Sequence, residues 1–236
     1  INASLVSSQA VGKPGGTRTL NGVKTDEYAI SLLSNINSVQ PFEASIGGIA
    51  TPFEAVSATT ADYNYVSEKA PGPTAQFSFL YKNDNQGNSS NNTGYFLYFK
   101  QGRLRNLDFN IADNLPNRVV NVNINNDDVW LYQLGTNNAI NKTWTKVPAV
   151  SGINVIYNNT ADRDLYSVSS RANDQVDLVF GDGSFTNVPT GSFRLFYRVS
   201  NNQTYKITPD EMNNVTITIP YRSATGRTET IVIRAS

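Results

Sequence analysis

The residues best suited to chemistry in this chain are carboxylates beside glycines and beside one another. Asp182 stands between Gly181 and Gly183, with Asp177 shortly before it. Asp127 and Asp128 are adjacent, and Asp162 and Asp164 flank Arg163. Two carboxylates about 5–9 Å apart would serve glycoside hydrolysis, and a single one in a pocket would serve as general acid or base. Calcium would need about six to eight oxygens, and no acidic residue follows Asp182 at the spacing of an EF-hand glutamate. Adjacent aspartates on an extended segment point to opposite faces, so Asp127 and Asp128 do not line one cleft. Asp162 and Asp164 read as a solvated turn. Asp182 reads as a structural turn residue bonded to its own backbone, with Gly181 and Gly183 giving the chain room to bend. Asp177 is expected to face Arg194 or Arg198 across a sheet.

The rest of the composition narrows the chemistry further. The 236 residues contain no cysteine and no histidine. Disulfides, thiol nucleophiles, serine–histidine triads and histidine-built metal sites are therefore excluded. No catalytic, cofactor-binding or metal-ligating set is expected. Lysine plus arginine and aspartate plus glutamate number 19 each, so the net charge is zero. Nucleic-acid binding needs clustered positive charge, and this balance does not supply it. Weak charge repulsion between copies suits a protein that works inside an assembly. No apolar run approaches the length of a membrane-spanning helix. The chain opens Ile1-Asn2-Ala3 and reads as a processed chain or a piece of a longer polypeptide.

The elements that would position these residues are mostly strands. Val176, Leu178 and Phe180 alternate with Asp177 and Val179, and Phe193, Leu195, Tyr197 and Val199 alternate with Arg194, Phe196 and Arg198. Period-two alternation marks half-buried strands. The two segments are expected to form a hairpin whose long connection carries Phe185, Pro189 and Gly191. Phe185, Pro189, Arg194 and Arg198 are the candidate interface residues. An apolar ring on a loop either meets a partner surface or folds back on its own domain. Similar alternation occurs at Phe77–Tyr81, Tyr95–Phe99, Val120–Ile124, Val129–Leu134, Ile153–Tyr157, Leu165–Val168, Val215–Ile219 and Ile231–Ile233. The polar run 83–92 reads as a mobile loop. Trp130 and Trp144 could stack on sugars, although aromatics more often fill sheet cores.

The amino-terminal part reads differently. Residues 11–16 form a glycine- and proline-rich loop. Thr25-Asp26-Glu27 offers a capping hydroxyl and first-turn acids, and Tyr28, Leu32 and Ile36 follow at four-residue spacing, which predicts a helix. A second short helix is expected to start at Thr60. The expected fold is mainly β with some α, an α+β chain of antiparallel sheets in sandwich-like subdomains with short helices near the amino terminus. The expected divisions are 1–75, a mixed segment with helices and loops, 76–168, a β-rich domain, and 169–236, a β domain carrying the glycine–aspartate hairpin.

An ordered series of phrases carries a family resemblance. Tyr98-Phe99-Lys100-Gln101-Gly102-Arg103-Leu104 is followed by Asp108-Phe109-Asn110, Asp127-Asp128-Val129-Trp130 and Trp144-Thr145-Lys146-Val147. Phe180-Gly181-Asp182-Gly183, Pro189-x-Gly191 and Tyr197-Arg198 complete it. Over residues 95–236 the series resembles the baseplate wedge and baseplate J-like proteins of contractile-tailed bacteriophages. Two places depart from that pattern: Thr186-Asn187 stands where the family often has a further glycine, and Val199–Asn202 replaces a glycine-rich segment. The resemblance implies a non-enzymatic virion protein of the tail baseplate, assembled in the host cytoplasm. Its implied partners are other wedge subunits, further copies of itself, and hub or sheath-initiating proteins. A carbohydrate- or receptor-binding tail module, and a glycan-cleaving tail enzyme using paired carboxylates, are the alternatives.

Overall fold

A computed structural model of the chain describes residues 2–7, 14–20, 23–33, 36, 38–62, 65–72, 75–82, 95–111, 117–121, 124–150, 162–172, 175–201, 203–213, 215–223 and 225–235, with side chains over narrower ranges. The expected loop at 83–92 and the expected strand at 153–157 lie outside these residues. The chain divides into two compact units: unit 1 is Ile1–Arg103 with Thr204–Ser236, and unit 2 is Leu104–Gln203. Unit 2 is thus inserted within the sequence of unit 1. The expected division at 75 falls inside unit 1, and that at 169 falls inside a strand of unit 2.

Unit 1 contains β1 (Asn2–Ser7), β2 (Pro14–Leu20), β3 (Val23–Leu32), β4 (Val39–Ile46), β5 (Ile49–Val56), β6 (Ala58–Asp62), β7 (Tyr65–Glu68), β8 (Phe77–Lys82), β9 (Tyr95–Phe96) and β10 (Tyr98–Gln101). After unit 2 come α1 (Pro209–Met212), β18 (Thr216–Arg222) and β19 (Thr228–Ala235). Antiparallel pairings run β3–β8–β9–β1–β19–β18, and β18 pairs back onto β3 at Leu32 and Ser31. The ring of six strands is closed, which removes the free edges an open sheet would present. β2 adds to β3 outside the ring. A second sheet orders β10–β5–β4, and β6 pairs with β7 alone.

Alternation builds the core of this unit. Ile217, Ile219, Tyr221, Ile231 and Ile233 are buried, while Thr216, Thr218, Arg222 and Thr230 are exposed. They pack with Ile30, Leu32, Phe77 and, from the second sheet, Phe42 and Phe53. Phe42 and Phe53 stack at 5.7 Å between centroids, and Phe99 meets Phe53 edge-on at 5.6 Å.

The helix expected from Thr25 is corrected: residues 23–32 form β3. The same stretch carries a period of two, with Ile30 and Leu32 buried about a half-exposed Ser31. Backbone pairing with three neighbouring strands overrides a capping signal worth about 1 kcal/mol. The helix expected at Thr60 is likewise corrected, because residues 58–62 form β6. Helical turns among the described residues are short and lie later, at Pro209–Met212 and Thr136–Asn138. The molecule is mostly β with antiparallel sheets.

Unit 2 contains β11 (Arg103–Ile111, its first residue in unit 1), β12 (Asn117–Asn121), β13 (Ile124–Leu134), β14 (Ile140–Lys146), β15 (Leu165–Ser170), β16 (Gln175–Phe180) and β17 (Gly191–Val199). The sheet order is β11–β17–β13–β14–β15–β16–β12. β14 pairs with β13 over its first residues and then runs parallel to β15 at Thr145 and Lys146. The core is aromatic: Trp144 meets Phe180 edge-on at 5.4 Å and Phe193 at 5.7 Å, and Phe109 stacks on Phe193 at 5.7 Å. Trp144 therefore fills the core, and its Nε1 lies 3.4 Å from Gln133 Oε1. Trp130 is half-exposed.

Candidate functional site

The glycine–aspartate segment leaves the end of β16 and enters β17, but these strands are not neighbours. β15, β14 and β13 lie between them in the sheet. The expected hairpin is thus corrected to a crossover, residues 181–190, which explains a connection longer than a tight turn. Asp177 pairs with Arg171 at 3.2 Å, correcting the expected partner on β17.

Local chemistry shapes the crossover. Asp182 Oδ1 accepts the Ser184 backbone N–H at 3.0 Å, the expected turn. That bond, with a further one from the Ser184 hydroxyl, holds the exposed Asp182 carboxyl below its usual range. Gly183 has φ +94°, which side-chain-bearing residues rarely adopt. Gly181 is required for a different reason: a Cβ there would collide with the Thr186 hydroxyl. Thr186 is 1% exposed, and its Oγ1 has no hydrogen-bond partner.

The segment before β15 clamps the loop from the side. Arg163 Nη2 donates to the carbonyls of Gly183 at 3.3 Å and Ser184 at 3.0 Å, and its Nε donates to that of Phe185 at 3.4 Å. Asn187 N–H donates to Arg163 O at 2.7 Å, and Asn187 Nδ2 donates to Asp164 Oδ1 at 2.8 Å. Lys142 Nζ lies 3.3 Å from Asp164 Oδ2. Asp162 braces the clamp by accepting Asp164 N–H at 2.9 Å and Thr145 Oγ1–H at 2.7 Å. Gln133 Nε2 donates to Thr190 O at 2.7 Å at the far end. A backbone held at so many points keeps Phe185 outside the fold, where it is 60% exposed.

The other candidate interface residues divide. Pro189 is buried. Arg194 grips Asp108 on β11 with two bonds of 2.7 Å, and the guanidinium holds that carboxyl below its usual range. Arg198 is 1% exposed and its Nε lies 3.2 Å from Asp128 Oδ2 on β13, so it belongs to the interior and not to a docking face. Asp127 is exposed where Asp128 is buried, as strand alternation requires. Among the described residues no group of three or more acidic side chains is placed to hold a metal ion. No described helix is long and apolar enough to cross a membrane.

The sequence marks Arg163 only as part of a solvated Asp162-Arg163-Asp164 turn, and Thr186-Asn187 only as a departure from the family pattern; their roles in the clamp carry no further sequence signal. No curated protein and no solved structure matches the chain. One family model matches residues 1–236, the whole sequence, and the chain belongs to that family, described as Domain of unknown function (DUF8360).

Proposed function

We propose that this chain is a structural component of a phage-tail baseplate wedge, supplying subunit–subunit interfaces for assembly and for rearrangement on host attachment. The ordered motif series over residues 95–236 motivates the reading. The observation that carries it in the structure is Phe185, an exposed ring on a loop pinned at its turn, its carbonyls and its exit. Exposing a phenylalanine forgoes roughly 1.5–3 kcal/mol of burial, and a rigid loop binds without a large ordering cost. Central aromatic anchors of this kind dominate many protein interfaces. The partners would be other wedge subunits and further copies of this chain, with hub or sheath-initiating proteins beyond them. The location would be the virion baseplate, after assembly in the host cytoplasm. Rearrangement would be a rotation of packed rigid parts about such interfaces.

The reading is tested by immunogold electron microscopy of purified particles before and after tail contraction. Label in a ring around the hub, moving outward on contraction, is the expected result. Label at fibre or spike tips overturns it in favour of a receptor-binding module or a glycan-cleaving enzyme. A glycan-binding role would rest on Trp130, because Trp144 is in the core. The sharper test is Phe185→Ser, which should leave the isolated chain folded by circular dichroism and weaken incorporation into wedges at least about tenfold, the effect of losing an aromatic anchor. Full incorporation of the variant would remove Phe185 from the interface.

A further inference from the structure

One carboxylate in unit 2 joins two side chains that can react with each other. Lys142 Nζ lies 3.3 Å from Asp164 Oδ2, and Asn187 Nδ2 donates to Asp164 Oδ1 at 2.8 Å. The amine comes from β14, the carboxylate from the entry to β15, and the carboxamide from the crossover loop. The segments that carry them are tied together: Thr145 N–H donates to Asp164 O at 2.8 Å and Asn187 N–H to Arg163 O at 2.7 Å. Only 15% of the Asp164 side chain is exposed, against 48% for Lys142.

We propose that Lys142 and Asn187 condense into an intramolecular isopeptide bond, with Asp164 carrying the protons. The lone pair of neutral Lys142 Nζ attacks Asn187 Cγ; the Nζ–Cγ bond forms and the Cγ–Nδ2 bond breaks. Of the three protons on the starting ammonium, one stays on the new amide. The other two pass through the Asp164 carboxylate to Nδ2, which departs as ammonium. Asp164 ends as the carboxylate it began as, and no oxidant or co-reactant is consumed. Both groups touch the same carboxylate, so one proton carrier reaches the attacking amine and the leaving nitrogen. A chain without cysteine has no disulfide with which to fasten a loop. This bond would fasten the crossover to β14 covalently, two residues past the exposed Phe185, and it stands whether or not the wedge reading holds.

The attacking species is the neutral amine, so the reaction should run faster at alkaline pH. The experiment follows the intact mass of the full chain during incubation at pH 7 and about pH 9.5. The expected result is a species lighter by one ammonia, accumulating faster at the higher pH, with the Lys142 and Asn187 peptides joined in the digest. Lys142→Arg keeps the ion pair, cannot form the bond and should hold its mass. Asp164→Asn should slow the reaction on the order of a hundredfold while circular dichroism stays unchanged. Three results would overturn the proposal: an unchanged wild-type mass after the alkaline incubation, a Lys142→Arg chain that loses ammonia like the wild type, or ammonia loss with water gained at Asn187, which is plain hydrolysis.

Discussion

Units 1 and 2 solve the same problem, burying one face of many short strands, in different ways. Unit 1 closes six strands into a ring, with Ile217, Ile219, Ile231 and Ile233 packed beside Phe42, Phe53 and Phe77 in its core. Its spatial order needs no long crossover between β18 and β19, which pair over seven positions as a plain hairpin. The described strands of unit 2 form an open order, pack aromatics, and take the chain from β16 to β17 past three intervening strands. The crossover that results is held by hydrogen bonds from Arg163, Asn187 and Gln133. It is also where an apolar ring faces solvent. In unit 2 the candidate site lies on a connection where chain order and spatial order disagree, long enough to present a side chain and held by hydrogen bonds from Arg163.

One ion pair from each unit differs in how far both partners are covered. In unit 1, Glu68 is well covered but its partner Lys100 is 24% exposed. In unit 2, Arg198 and Asp128 are 1% and 2% exposed. Removing one member of a fully buried pair strands the other in a low dielectric. Arg198→Met is therefore expected to cost about 3–5 kcal/mol. Replacing both, as Arg198→Met with Asp128→Leu, should recover most of that loss. Both tryptophans, Trp130 and Trp144, belong to unit 2, so urea unfolding followed by tryptophan fluorescence reads this unit. A single variant within 1 kcal/mol of wild type, on the scale of ordinary surface changes, would show the pair to be hydrated in solution and erase this contrast.

A smaller effect separates the crossover from an ordinary turn. At Gly47 and Gly48, in the β4–β5 hairpin of unit 1, an added Cβ meets nothing within 4 Å, and only the positive φ resists substitution. At Gly181 the obstacle is packing, since the Thr186 hydroxyl occupies the place of a Cβ. Gly181→Ala is expected to cost about 1–3 kcal/mol through overpacking, read by the same fluorescence unfolding. Pairing it with Thr186→Gly should relieve the clash, so that the double variant costs less than the sum of the two singles. Thr186→Val alone should be neutral or slightly stabilising, because it removes a buried hydroxyl without a partner. Additive losses would show that Gly181 is needed for its backbone and not for Thr186.

These contrasts mark what the sequence could reveal. Strands with clean alternation were legible, Gln175–Phe180 and Gly191–Val199 among them, as was the turn that Asp182 makes with Ser184. β3 was not, because Thr25-Asp26-Glu27 and a four-residue apolar spacing mimic a helix start, while the pairing that makes a strand comes from β8, β2 and β18. Nor was the crossover, since two alternating segments joined by a glycine turn look the same whether they pair or lie apart. The partners of Asp177, Arg194 and Arg198 all followed from that one unknown. Arg194 finds Asp108, separated from it by 86 positions. The clamp from Arg163 was hidden for the same reason, because its acceptors are backbone carbonyls that carry no sequence signal.

The smallest expected effects come from one carboxylate in each unit. In unit 2, Asp108 is held low by hydrogen bonds from Arg194 and by its charge, opposed by partial burial. In unit 1, Glu211 is held low by the backbone N–H groups of Thr208 and then Gly47, at 2.9 Å and 2.8 Å, which tie α1 to the β4–β5 turn. A carboxyl whose folded pKa lies below its unfolded value binds its proton more readily once unfolded, so folding is favoured while it is ionised. Both contributions are thus fully present above the unfolded carboxylate range of about 4 and fade as pH falls through the lower folded value. Asp108→Asn should cost no more than about 1 kcal/mol at neutral pH, and less in high salt, since half the carboxylate meets water. Glu211→Gln should weaken the attachment of α1 without salt sensitivity of the same size, because neutral amide N–H groups and not a cation hold the charge. The single methionine of the chain, Met212, sits at the end of α1 and is buried in unit 1. Its methyl resonance gives unit 1 a reporter to set beside the tryptophans of unit 2. On acidification the methyl should move with wild-type Glu211 and lose that titration in Glu211→Gln, while Asp108→Asn leaves it in place. A methyl shift that follows Asp108 instead would show that the acid response of one unit is transmitted to the other.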